Sequence, residues 1–286
     1  MSDLITHDIF GRDVYDKQFQ FIGGSRDEAD AFLLGCQGPD PLFFAAITPK
    51  FYNYRSVGST MHDRKPSELI FALKQSLAIL PSEEKAVGRA YALGFICHYL
   101  LDATVHPFIF SQEYALCDAG EPGLDRSNAN EVHAYIEREL DELLLFTRHG
   151  ETVATFNPST QILKATEQTL TVISKLYAYL ALSTYGQAIP DNLFARSVHN
   201  YRLIERALYS PRGIKRTLLG NVEQLIRPYS MVLAFTPQAV ERTHSDFAND
   251  DHAAWTNPFT FETSTASFEE LYETALDEAL AATVAF

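Results

Sequence analysis

The sequence predicts an all-α fold, and three observations lead there. Apolar residues recur with a helical period through most of the chain, strand-like alternation is sparse, and caps or prolines mark helix starts between the periodic runs. The 286 residues are 46% hydrophobic and 21% charged, enough apolar surface for a packed core. We read 1–286 as a single all-α domain, with a site-bearing half over 1–155 and a helical second half over 156–286 that completes the fold.

In chain order the predicted helices cover 3–19, 27–36, 67–80, 82–106, 129–149, 159–185, 191–209, 211–227, 237–251 and 267–282. The second stops in the stiff turn Gly35-Cys36-Gln37-Gly38-Pro39-Asp40-Pro41. The fourth starts at Ser82, a cap followed by Glu83 and Glu84, and Pro107 is expected to close it. Asp191 follows Pro190 as a cap, and Pro211 suits a first turn. Loops over 118–127 and 155–159 separate the remaining runs.

A formal net charge of −14 repels phosphate backbones and anionic lipid surfaces, so nucleic acid is an unlikely partner. Cys36, Cys97 and Cys117 are odd in number and form no C-x-x-C pair, so neither a disulfide framework nor a cysteine metal site is expected. The start lacks a basic region followed by an apolar run, which points to the cytoplasm. The longest apolar stretch, 90–110, contains His98, Asp102, His106 and Pro107. An aspartate at mid-membrane costs roughly 2.5–3.5 kcal/mol, so a buried helix is expected there and no transmembrane segment.

His98, Asp102 and His106 stand four apart on that helix. Each step advances about 40° around the axis and about 6 Å along it, so the three share a face. Ala90 and Gly94 continue the stripe, small enough to admit a neighbouring helix. Nine histidines and 37 acids give roughly one His-to-acid pair at spacing four by chance. The chain has two such pairs, His98 with Asp102 and His133 with Glu137.

The setting of Asp102 weighs more. Tyr99, Leu100, Leu101, Ala103 and Val105 make the helix apolar nearly all round, and a carboxylate buried there needs a cation. With an imidazole one turn before and one turn after, a metal ion is favoured over a hydrogen-bond network. His133 and Glu137 lie on an amphipathic helix rich in acids, where an exposed salt-bridge face and a pair of metal ligands are balanced readings. His7, Asp40 and His62 are each ordinary alone: a solvated histidine near a chain end, a turn aspartate capping amides, a lone imidazole.

Taken in order, His7, Gly38-Pro39-Asp40-Pro41, His62, His98-x3-Asp102-x3-His106-Pro107 and His133-x3-Glu137 resemble the ligand series of the zinc-dependent phospholipase C family. That family shares its helical fold with the single-strand-specific zinc nucleases. The likeness covers about residues 6 to 137 and looks most like the intracellular bacterial members. It implies two or three zinc ions. Asp40, His62, His98 and Asp102 would hold one, His106, His133 and Glu137 a second, and His7 with a bridging Asp102 a third.

The implied reaction is hydrolysis of a phosphate ester by metal-activated water, foremost a phosphodiester such as a phospholipid headgroup linkage. Asp40 is the candidate catalytic residue, orienting or deprotonating that water. A nuclease on the same fold and a non-catalytic helical metal-binding protein remain open.

Two features depart from the family pattern. The secreted enzymes complete the third site with an N-terminal tryptophan, whereas Met1-Ser2-Asp3 precede His7 here. The family's next histidine stands six residues after the bridging aspartate, whereas His106 stands four after Asp102. In the second half, Trp255 sits in a loop that either plugs a gap between helices or reaches over the cleft to shape a substrate pocket.

Overall fold

A computed structural model describes residues 4–211, 213 and 236–286. Its α-helices are α1 Leu4–Ile22, α2 Arg26–Gly35, α3 Val57–Asp63, α4 Pro66–Ser76, α5 Lys85–Cys117, α6 Ala129–His149, α7 Pro158–Gln161, α8 Glu167–Tyr185, α9 Leu193–Leu208 and α10 Phe268–Ala285. Two 3-10 stretches, Asp40–Ile47 and Pro49–Tyr54, follow α2. The only strands among the described residues form one small hairpin, β1 Trp255–Thr256 against β2 Thr263–Ser264. The all-α expectation holds.

The chain gathers into two compact units, both interleaved in sequence. One draws on Met1–Ile9, Leu100–Pro158 and Ala207–Glu278; the other on Phe10–Tyr99, Ser159–Arg206 and Ala279–Phe286. In the first, Ile5, Leu101, Phe108, Ile136, Leu140 and Tyr272 are buried together with α6's acids. In the second, Phe10, Phe32, Leu73, Phe95, Leu170 and Phe194 supply the core. There α4 packs on α8, and α2 meets α5 backbone to backbone. A Cβ at Gly35 would overlap the Tyr91 carbonyl, and one at Gly94 the Phe32 carbonyl, so the predicted small-residue stripe is where α2 approaches.

Several sequence expectations change. Pro107 does not end the central helix: α5 runs on to Cys117 with Pro107 inside it. The carbonyl that loses its amide partner belongs to Ala103, an exposed residue, so water can replace the missing bond. The helix expected over 159–185 is two: α7 ends at Gln161, and α8 starts afresh where the Thr166 side chain accepts from the Thr169 amide. His62 and its neighbours form a short helix, α3, in a stretch assigned none.

Within 237–251, only Asp246–Ala248 is helical, and as a 3-10 turn. Its polar groups are taken up by α6 instead: the Gln238 amide and Arg242 bond Glu142, and Ser245 bonds Glu139. These contacts replace a helical ladder. The helix expected over 211–227 lies outside the described residues.

Among the described residues one helix, α5, is long and apolar enough to cross a membrane, and half of its most apolar window is buried inside the protein. That matches the buried helix expected from its His98, Asp102 and His106.

Candidate metal centre

In the unit that contains the first half of α5, donor atoms of Asp40, His62 and His98 lie within 4.8 Å of one another. His62 is set by α3. Its Nδ1 donates to the Gly58 carbonyl, which can only accept, at 2.9 Å, so Nε2 is the nitrogen turned toward Asp40 and the one a metal ion would take. That Nε2 stands 2.9 Å from Asp40 Oδ1. Asp40 is buried; burial alone would raise its pKa, but the hydrogen bond and charge of His62 and the charge of His98 bring it down to about 2.

His98 is buried and held by backbone. Gly38 has φ +49°, and a Cβ there would overlap the imidazole, so only glycine lets the turn lie against the ring. The Gly38 carbonyl accepts from Tyr177 Oη at 2.8 Å, and Tyr177 meets Tyr91 Oη at 2.7 Å. Burial pushes both phenols well above their usual range, so they remain neutral donors. Two tyrosines thus fix the turn that carries Asp40.

In the other unit, donor atoms of His106, His133 and Glu137 lie within 4.8 Å of one another. His133 Nε2 is 2.8 Å from Glu137 Oε1, and its Nδ1 donates to Glu113 Oε2 at 2.8 Å. The buried Nε2 of His106 makes no hydrogen bond; it stands 3.6 Å from Glu137 Oε1 and 3.7 Å from Asp102 Oδ1. Burial lowers the His106 pKa, but Asp102 and Glu137 outweigh it and leave it raised. For His133, burial is likewise outweighed, by the Glu137 charge and the bonds to Glu113 and Glu137, and the pKa is pushed up to about 10. Glu137 is held well below the carboxylate range despite burial, chiefly by the His133 charge.

Asp102 belongs to this unit and faces His7, whose Nε2 is 3.2 Å from Asp102 Oδ1. It also stands one turn after His98 on α5. All eight predicted donors therefore fall into these groups.

The donor chemistry fits zinc. Nitrogen and carboxylate oxygen are its usual ligands, and bonds of about 2.0–2.2 Å in a tetrahedron space ligand atoms roughly 3.3 Å apart. The separations around His106, between hydrogen-bond length and open space, are of that order.

Of the two balanced readings of α6, the exposed salt-bridge face does not hold: Glu137, Glu139, Asp141 and Glu142 are all buried. Sequence reasoning also missed four partners. Glu113 stands two turns after His106 on the same helix, a spacing that was readable. Asp141, Tyr91 and Tyr177 reach their partners only through the fold. Trp255 donates its indole N–H to the Ala266 carbonyl at 3.0 Å and packs edge-on against Phe108. Further along the hairpin, the exposed Phe259 meets Phe110, whose ring centroid is 4.9 Å from that of His133.

A family model for zinc dependent phospholipase C matches residues 6–186, well over half of the chain. The protein belongs to that family. No curated protein and no solved structure matches the chain. Family membership makes it, at that level, a zinc-dependent phosphoester hydrolase, and the clustered donors accord with zinc as its metal.

Proposed function

We propose that Asp40, His62 and His98 hold one zinc ion and that His106, His133 and Glu137 hold a second. His7 with Asp102 offers a third position. The ions serve hydrolysis of a phosphodiester, foremost a phospholipid headgroup linkage. The observation that carries this reading is the pair of histidines whose second nitrogen is already committed. His62 Nδ1 is held by the Gly58 carbonyl and His133 Nδ1 by Glu113, so each presents Nε2 toward a buried carboxylate.

Zinc, when bound, supplies a Lewis acid for the phosphoryl oxygens and a water nucleophile at neutral pH. The protein's own groups do the rest. Asp40, ionised at neutral pH, accepts a hydrogen bond from the attacking water and orients it. Phe110 and Phe259 form an apolar wall beside His133 against which a non-polar ester group can lie. The net charge of −14 favours a zwitterionic or soluble ester over nucleic acid.

The test compares native protein with Asp102→Ala. Metal content is measured alongside hydrolysis of micellar phosphatidylcholine, bis(p-nitrophenyl) phosphate, a phosphomonoester and single-stranded DNA. Chelation should abolish diesterase activity and zinc restore it, with phosphatidylcholine preferred, and Asp102→Ala should lose at least one metal and the activity. Unchanged metal content in the variant removes the third position, and diesterase activity that survives chelation overturns the reading. Preferential cleavage of DNA replaces phospholipase with nuclease.

A further inference from the structure

The start of α1 has a partner far away in sequence. The first amides of a helix have no acceptor within it, and here a carboxylate from α6 supplies one. Asp141 Oδ1 accepts from the Thr6 amide at 2.7 Å and from Thr6 Oγ1 at 2.6 Å, and Oδ2 accepts from the Ile5 amide at 3.3 Å. Asp141 is wholly buried, so its charge is stabilised by these donors and by the positive end of the helix. The next residue after Thr6 is His7, buried and aimed at Asp102.

Asp141 stands one turn after Glu137 and two turns after His133, on the same face of α6. The helix that presents two donors of the second group thereby also sets where α1 enters. A cavity of about 10 Å³, room for roughly one water, is lined by Thr6, Asp102, His106 and Glu137, so the start of α1 is itself a wall of that group. We infer that Asp141 is the positioning residue for His7: it clamps the first turn of α1 so that the His7 imidazole meets Asp102. The consequence for metal binding rests on the zinc reading proposed above; the clamp itself does not.

The test uses the full chain with Asp141→Asn, Asp141→Glu, Thr6→Val and His7→Ala. One readout needs no metal: the side-chain NMR signals of His7 and His133 in chelator-treated protein. Asp141→Asn should move the His7 ring signals and leave those of His133 in place, with Asp141→Glu restoring part of the native position. The second readout is zinc titration. Asp141→Asn should weaken the same binding step that His7→Ala removes, by about tenfold or more, and adding it to His7→Ala should change nothing further.

Unmoved His7 signals in Asp141→Asn overturn the inference, as does a uniform weakening of every zinc step, which marks a general structural role. If Asp141→Asn does not fold, Thr6→Val, which deletes one of the three bonds, decides by the same His7 criterion. If His7→Ala leaves the zinc titration unchanged, the third metal position fails while the NMR readout still judges the clamp.

Discussion

The two donor groups are built from similar ligands but supported by different materials. Around Asp40, His62 and His98 the supports are neutral: the Gly58 carbonyl under His62, the glycine turn against His98, and two phenols on the Gly38 carbonyl. Around His106, His133 and Glu137 they are anionic: Glu113 behind His133 and Asp102 beside His106. A neutral scaffold fixes direction without adding charge, so its weak point is backbone shape. An anionic one raises ligand basicity, so its weak point is charge.

The sharpest way to break the contrast is Gly38→Ala. A methyl at a left-handed position that overlaps His98 should cost about 3 kcal/mol, the sum of backbone strain and overpacking, and should disturb the first group's metal. Denaturation of metal-free protein checks it, and a loss of under about 0.5 kcal/mol would remove the glycine argument. Next comes Glu113→Gln, which keeps a hydrogen-bond acceptor but not the charge. Zinc should bind the second group about 10–100-fold more weakly and the first unchanged; equal weakening at both would erase the distinction.

Metal-stripped protein should show the contrast against pH. The Asp40 pKa is lowered to about 2, so its stabilisation is present above the ordinary carboxylate range and is lost as pH falls from there toward about 2. The His133 pKa is raised to about 10, so its stabilisation is complete below the ordinary imidazole range and is lost as pH climbs toward about 10. Stability measured across pH should lose its acid limb in Asp40→Asn and its alkaline limb in His133→Gln. An alkaline limb unaffected by His133→Gln contradicts the assignment. The smallest effect is expected of Tyr177→Phe, which deletes the shorter of the two phenol bonds to the Gly38 carbonyl. It should cost about 1 kcal/mol by denaturation and leave the second group's zinc affinity alone.

What the sequence disclosed follows from how far apart the partners are along the chain. His98, Asp102 and His106, or His133 and Glu137, sit one helical turn apart, so periodicity alone sets them on one face. Glu113 was within the same reach. Asp141 meets Thr6 across 135 positions, and Tyr177 meets Gly38 across 139, distances over which no local pattern speaks. The helical class was legible because apolar spacing is local too. Pro107 misled because the rule against interior prolines concerns one lost bond, and an exposed Ala103 carbonyl makes that loss small. The stretch 237–251 misled because its polar side chains and amides find better partners in the buried acids of α6.

α5 carries His98, Asp102, His106 and Glu113 along one helix, Lys85–Cys117. Substituting a residue between them changes one contact, but deleting one turns everything downstream by about 100° and shifts it about 1.5 Å. The tract is therefore a ruler: drift in identity is tolerated along its outer side, whereas a single-codon insertion or deletion there would disorganise several donors together.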